Sequence, residues 1–117
     1  MISRAHRFRG RKSINQVYKY GVSSSGDLFA LKVLKTNNPR GYRLAVVVSK
    51  KVSKSAVVRN RIRRRVYSLM QQIGPNIQNP CDIVITVYKQ ELKDEPQASL
   101  KDQLQVQLAK SGASIKS

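Results

Sequence analysis

Residues 57–67 read Val57-Val58-Arg59-Asn60-Arg61-Ile62-Arg63-Arg64-Arg65-Val66-Tyr67, with five arginines in seven positions. Guanidinium groups are planar forks that engage phosphate oxygens in pairs, so the chemistry this run suggests is polyanion recognition. A disordered basic tail has no need of Val58, Ile62 and Val66 at helical spacing. An ordinary core helix would not hold so much charge. With those three residues turned inward, Asn60 and Arg64 point nearly opposite, and Arg61 and Arg63 lie on the flanks. Arg59 and Arg65 fall nearer the buried edge, where their stems can pack and their heads reach outward. A merely solvated helix face mixes signs to form i,i+4 pairs. Here no acid occurs between Leu28 and Pro80, which argues against that bland reading.

Two further basic stretches adjoin this helix or precede it. Ser49-Lys50-Lys51-Val52-Ser53-Lys54 extends the cationic surface into a connecting loop. His6-Arg7-Phe8-Arg9-Gly10-Arg11 mixes charge with an aromatic, which suits backbone contact plus base stacking on single strands. Phe8 could equally anchor that arm to the core. Protein-borne catalysis has little support. The one histidine lies in the basic arm. Asp27, Asp82, Glu91, Asp94, Glu95 and Asp102 form no paired-carboxylate set. Ser49 and Cys81 lack a convincing histidine partner. Zinc-ligand spacing and a phosphate-cradling glycine loop are both absent. Any enzymatic chemistry attached to this chain is expected to come from a partner.

The elements that must position these residues follow from the pattern. The 117 residues point to a single domain, and 40% hydrophobic content suffices for one core. Twenty-three Lys and Arg against six acids give a formal charge of +17, an excess that calls for a polyanionic partner. One cysteine excludes an internal disulfide, and Cys81 reads as a small buried side chain at a strand start. No apolar run approaches membrane-spanning length, and the N-terminus lacks a signal-peptide core, so a cytoplasmic protein is the expectation.

Residues 1–11 read as an irregular arm. Residues 12–20 read as a helix through Ile14, Val17 and Tyr18, with Ser13 as N-cap and Gly21 as stop. Ser23–Gly26 reads as a loop. Leu28–Leu34 alternates as a strand, residues 36–41 form a turn, and Tyr42–Ser49 is a second strand expected to pair with the first as a hairpin. Residues 56–73 are the clearest helix, with Val58, Ile62, Val66, Leu69 and Ile73 as its apolar stripe and Gly74-Pro75 as its end. Cys81–Tyr88 is a β-branched strand, residues 91–97 a polar loop, and 98–110 a helix on Leu100, Leu104 and Leu108. Residues 112–117 form a frayed tail. Tyr18, Tyr20, Tyr42 and Tyr88 read as core-edge residues. The order helix, strands, helix, strand, helix is an α+β two-layer sandwich.

The segment Arg59-Asn60-Arg61-Ile62-Arg63-Arg64, preceded by Ser49-Lys50-Lys51-Val52 and Ala56-Val57-Val58, closely resembles the bacterial ribonuclease P protein subunit. Val17-Tyr18-Lys19-Tyr20-Gly21 and Asp82-Ile83-Val84-Ile85 match that family in type and place. The resemblance covers roughly residues 7–110. It implies a four-stranded α+β sandwich like the second domain of ribosomal protein S5, with a left-handed strand–helix–strand crossover. The periodicity alone supplies three strands, and the fourth is expected either from a split of residues 42–56 into two short strands or from a poorly patterned segment elsewhere. The resemblance further implies that a catalytic RNA with Mg2+ removes the 5′ leader of precursor tRNA, one protein serving each RNA. Arg59, Asn60, Arg61, Arg63, Arg64 and Arg65 would face that RNA. Ile14, Tyr18, Lys32 and Tyr88, with Lys50 and Lys51 at the edge, would receive the leader. Arg7, Arg9, Arg11 and Lys54 would add backbone contacts. A structural ribosomal-RNA or ribosome-assembly protein shares the charge, size and class. A DNA-binding module is a third reading, but it needs a few base-reading side chains rather than a uniform arginine face.

Overall fold

A computed structural model describes residues 11–37 and 41–113, with the side chains of residues 11–13 left undescribed. Arg7, Arg9, Phe8 and residues 114–117 lie outside the described residues, as does the side chain of Arg11. Among the described residues three helices flank one sheet: α1 (Arg11–Tyr20), α2 (Ala56–Ile73) and α3 (Gln97–Lys110). The strands are β1 (Val22–Ser25), β2 (Phe29–Lys35), β3 (Arg43–Val48) and β4 (Cys81–Val87). Short 3-10 turns cover Gly74–Asn76 and Gln90–Asp94.

The sheet order is β1-β2-β4-β3. This corrects the expected hairpin between the first two apolar strands. β4 lies between them, antiparallel to β2 and parallel to β3. The reason is burial. Cys81–Ile85 are all buried, which is the run a central strand needs when both faces are covered. Parallel neighbours require a long crossover, and α2 supplies it between β3 and β4. The fourth strand is not a split of residues 42–56. It is the poorly patterned segment Val22–Ser25, whose three serines fall in the stretch expected to be a loop, and it pairs antiparallel with β2 from Val22↔Val33 to Ser25↔Ala30. Nor is 91–97 a plain polar loop, since residues 90–94 coil into a 3-10 turn that buries Leu92.

Strand alternation divides the side chains between two faces. Phe29, Leu31 and Val33, Leu44, Val46 and Val48, and Cys81, Ile83, Ile85 and Val87 form the main core with α2 and α3. Helix α2 contributes Ile62, Val66, Leu69, Met70 and Ile73, and α3 contributes Leu100, Leu104 and Leu108. Among the described residues the opposite face is covered only in part, where Val17 of α1 packs on Ala45 and Val84, flanked by Ile14, Leu34 and Val47. At one end of that face Arg43 forms two hydrogen bonds with Asp82, at 2.8 and 2.6 Å. The bond holds the Arg43 guanidinium above its ordinary pKa. Gly21 lets α1 turn straight into β1. A Cβ there would lie 2.5 Å from the Val17 carbonyl oxygen, which already accepts the Gly21 N–H.

Candidate RNA-binding surfaces

Helix α2 is anchored before it presents charge. Ser55 caps its N-terminus by accepting a hydrogen bond from the Val58 N–H at 3.3 Å. Ser53 accepts from the Ser55 N–H at 3.2 Å, and the Arg59 guanidinium donates to the Ser53 carbonyl at 2.9 Å. The lysine loop is therefore tied to the first turn of the helix. No acid lies in that turn, so the positive end of the helix dipole adds to the side-chain charge.

The arginines divide by what they touch. Arg65 donates to the Leu92 carbonyl at 2.6 Å and to the Glu95 carbonyl, two main-chain acceptors at the 3-10 turn. Arg59 and Arg65 are both half-buried, and their forks serve the protein's own backbone. Arg63 is half-buried and donates to the Asn60 side-chain oxygen. Arg61 and Arg64 are exposed and have no partner among the described residues. Together with Asn60 and Val57 they form the outward stripe of α2. Val57 is 78% exposed, an apolar residue standing in the cationic face. Lys50, Lys51 and Lys54 are likewise exposed.

The second surface lies on the other side of the sheet. A cleft of about 530 Å³ is lined by Tyr18, Ser23, Ser24, Ser25, Ala30, Leu31, Lys32, Val84, Thr86 and Tyr88. Tyr18 and Tyr88 are 39% and 50% exposed. The Tyr18 hydroxyl lies 3.5 Å from that of Thr86. Lys32 does not stand free in the cleft. Its ammonium donates to the Tyr18 carbonyl at 2.7 Å, one of the orphan acceptors at the end of α1, and lies 5.7 Å from the Tyr18 ring centre. Ile14 packs in the small cluster beneath α1 rather than on the cleft wall. Lys50 and Lys51 follow Val48, which sits level with Val87, so they leave the sheet at the same end as Tyr88.

The structure thus brings Tyr18, Lys32 and Tyr88 together. It sets Ile14 beside them and Lys50 and Lys51 at the sheet end. Sequence reading missed Ser23, Ser25 and Thr86. The signal for Thr86 was its period-two spacing with Val84 and Tyr88, whereas the serines carried none. Among the described residues, no three His, Cys, Asp or Glu side chains gather in a group that could hold a metal ion. No described helix is long and apolar enough to cross a membrane.

Comparison with known proteins agrees with this architecture. A family model described as Ribonuclease P matches residues 2–112. The ribonuclease P protein component of Pseudanabaena sp. (strain PCC 6903) is 37% identical over 87 residues, spanning 74% of this chain and 75% of that one. Its counterpart in Rippkaea orientalis is 33% identical over 90 residues, spanning 74% and 71%. The fold matches a Staphylococcus aureus RNase P protein with a TM-score of 0.78 at 24% identity, covering 92% of this chain and 96% of that one. These relatives disfavour the ribosomal-RNA reading, and the chain belongs to the ribonuclease P protein family.

Proposed function

We propose that this protein binds two RNAs on two faces and thereby assists removal of the 5′ leader from precursor tRNA. The exposed stripe of α2, centred on Arg61 and Arg64 and completed by Asn60, Arg63 and the lysine loop, docks on the catalytic RNA. The cleft between α1 and the open sheet receives the single-stranded leader. Arg59 and Arg65 shape the α2 surface through the carbonyls they hold, and contribute charge rather than free forks. Cleavage itself resides in the RNA, with its metal ions. The protein's part is to bind, orient and lower repulsion between two polyanions. The observation that carries this reading is the pair of arginines on a rigid helix, without partners among the described residues and with no acid nearby in sequence.

The two surfaces suit different tasks. Arg61 and Arg64 carry forks that reach outward from a packed helix and can each engage two oxygens of a structured phosphate backbone. The cleft has flat rings and neutral hydroxyls, which tolerate many leader sequences. Reconstitution tests the reading. Added to its cognate RNA, one protein per RNA and in the cytoplasmic range of ionic conditions, the protein lowers the magnesium needed for leader removal. Unchanged cleavage at low magnesium contradicts it.

A further inference from the structure

Among the described residues, those lining the cleft are less cationic than the charge of the chain suggests, and their chemistry is mostly that of hydroxyls. Cross-strand partners share a face, so the register orders the floor in rows. One row runs Ser25, Ala30, Thr86, Val47 across β1, β2, β4 and β3. The next runs Ser23, Lys32, Val84, Ala45. The centre of the first row is the small residue Ala30, with a hydroxyl on each side. Adjacent strands lie about 4.8 Å apart, so Ser25 and Thr86 flank Ala30 across a gap of about 10 Å. Tyr18 and Tyr88 stand near this row, and the Tyr18 hydroxyl already meets Thr86. Among the described residues, the one lysine lining the cleft is engaged with the α1 carbonyl end.

That floor is a poor phosphate site and a good sugar site. Serine and threonine hydroxyls both donate and accept, as does a ribose 2′-hydroxyl. A deoxyribose offers no such group at that position. The small Ala30 side chain leaves room for a sugar to approach, and the outward cations can hold the phosphates away from the floor.

We propose that the cleft distinguishes ribose from deoxyribose, with the hydroxyls of Ser25 and Thr86, and Ser23 beside Lys32, hydrogen-bonding to 2′-hydroxyls of the bound strand. The inference rests on the leader occupying this cleft. Nucleic-acid strands entering it are then selected as RNA by the protein, independently of any selection by the catalytic RNA.

The test uses the reconstituted holoenzyme and two precursors. One has an all-ribose leader. The other has a leader made of deoxynucleotides, except that the nucleotide at the scissile bond stays ribose so that cleavage chemistry is untouched. The holoenzyme binds the all-ribose precursor about 3- to 10-fold more tightly, the scale of one or two net hydrogen bonds. Ser25→Ala with Thr86→Val brings the ribose affinity down to the deoxyribose value. Thr86→Ser, which keeps a hydroxyl, retains the difference, and circular dichroism verifies that each variant is folded. Equal affinity for both precursors in the unaltered protein overturns the proposal, as does a difference that survives the double substitution. If the protein-free RNA shows the same difference, the discrimination belongs to the RNA and the proposal also falls. Failure of the underlying reading is separately visible: leader photocrosslinks would then not reach the Tyr18–Tyr88 cleft at all.

Discussion

Arg65→Ala and Arg64→Ala, one position apart on the same helix, are expected to have opposite consequences. The Arg65 fork donates to the Leu92 and Glu95 carbonyls, and it is half-buried against the 3-10 turn. Hydrogen bonds with a charged partner contribute about 1.5–3 kcal/mol each. Partial solvent access weakens that, and the freed carbonyls recover some water. Truncation should therefore cost about 2–3 kcal/mol in total. In a domain of this size such a loss lowers the melting temperature by about 8–15 °C. Arg64 has no partner among the described residues, so its truncation should stay within the ~0.5 kcal/mol scatter of surface substitutions. Its effect appears in binding. The slope of log affinity for the catalytic RNA against log salt should become shallower by about 0.7–0.9 for each phosphate that the variant no longer neutralises. Urea denaturation gives the stability of each variant, and filter binding across a salt series gives the slope. If Arg65→Ala melts like the unaltered protein and lowers the salt slope as Arg64→Ala does, the division of the arginines is wrong.

Three other substitutions probe the packing. Asp82→Asn leaves the Arg43 fork without its carboxylate in a part-buried position, where side-chain exposure is 32% for Arg43 and 6% for Asp82. It should cost about 3 kcal/mol by chemical denaturation, and a cost below about 1 kcal/mol would show that water replaces the pair. Gly21→Ala places a methyl against the Val17 carbonyl and should unseat α1, so that limited proteolysis cuts the α1–β1 junction faster while the α2 core stays protected. Burial pushes the Cys81 thiol up to about 11, with the nearby Asp82 charge adding to the rise. An unfolded thiol ionises near about 8.5, so the unfolded state holds fewer protons between about pH 8.5 and 11 and stability falls across that window. Cys81→Ala should flatten this part of the pH profile, and an unchanged slope would assign it to other groups.

Much of this was legible in the chain. Helix α2 and its outward stripe followed from Val58, Ile62 and Val66 alone, because burial of one face fixes where the charges point. β4 was legible too, from the five consecutive β-branched residues 83–87. The sheet order was not, because the turn-rich segment 36–41 looks like a hairpin turn and periodicity does not report which strands pair. β1 was hidden because Val22-Ser23-Ser24-Ser25 has no apolar alternation; it is an edge strand held by backbone pairing and by its place beside β2. The fates of Lys32 and Arg65 were equally hidden. Their partners are backbone carbonyls 14 and 27 to 30 positions away, and no side-chain pattern records such bonds.

The central claim is that two faces serve two RNAs, and site-directed crosslinking tests it most directly. A photoreactive residue is placed at Tyr18 and, in a second variant, at Arg64, and each protein is assembled with catalytic RNA and precursor tRNA before irradiation. With two faces for two RNAs, the Tyr18 probe labels the 5′ leader and the Arg64 probe labels the catalytic RNA. Labelling of the leader from Arg64, or of the catalytic RNA alone from both positions, would contradict the claim.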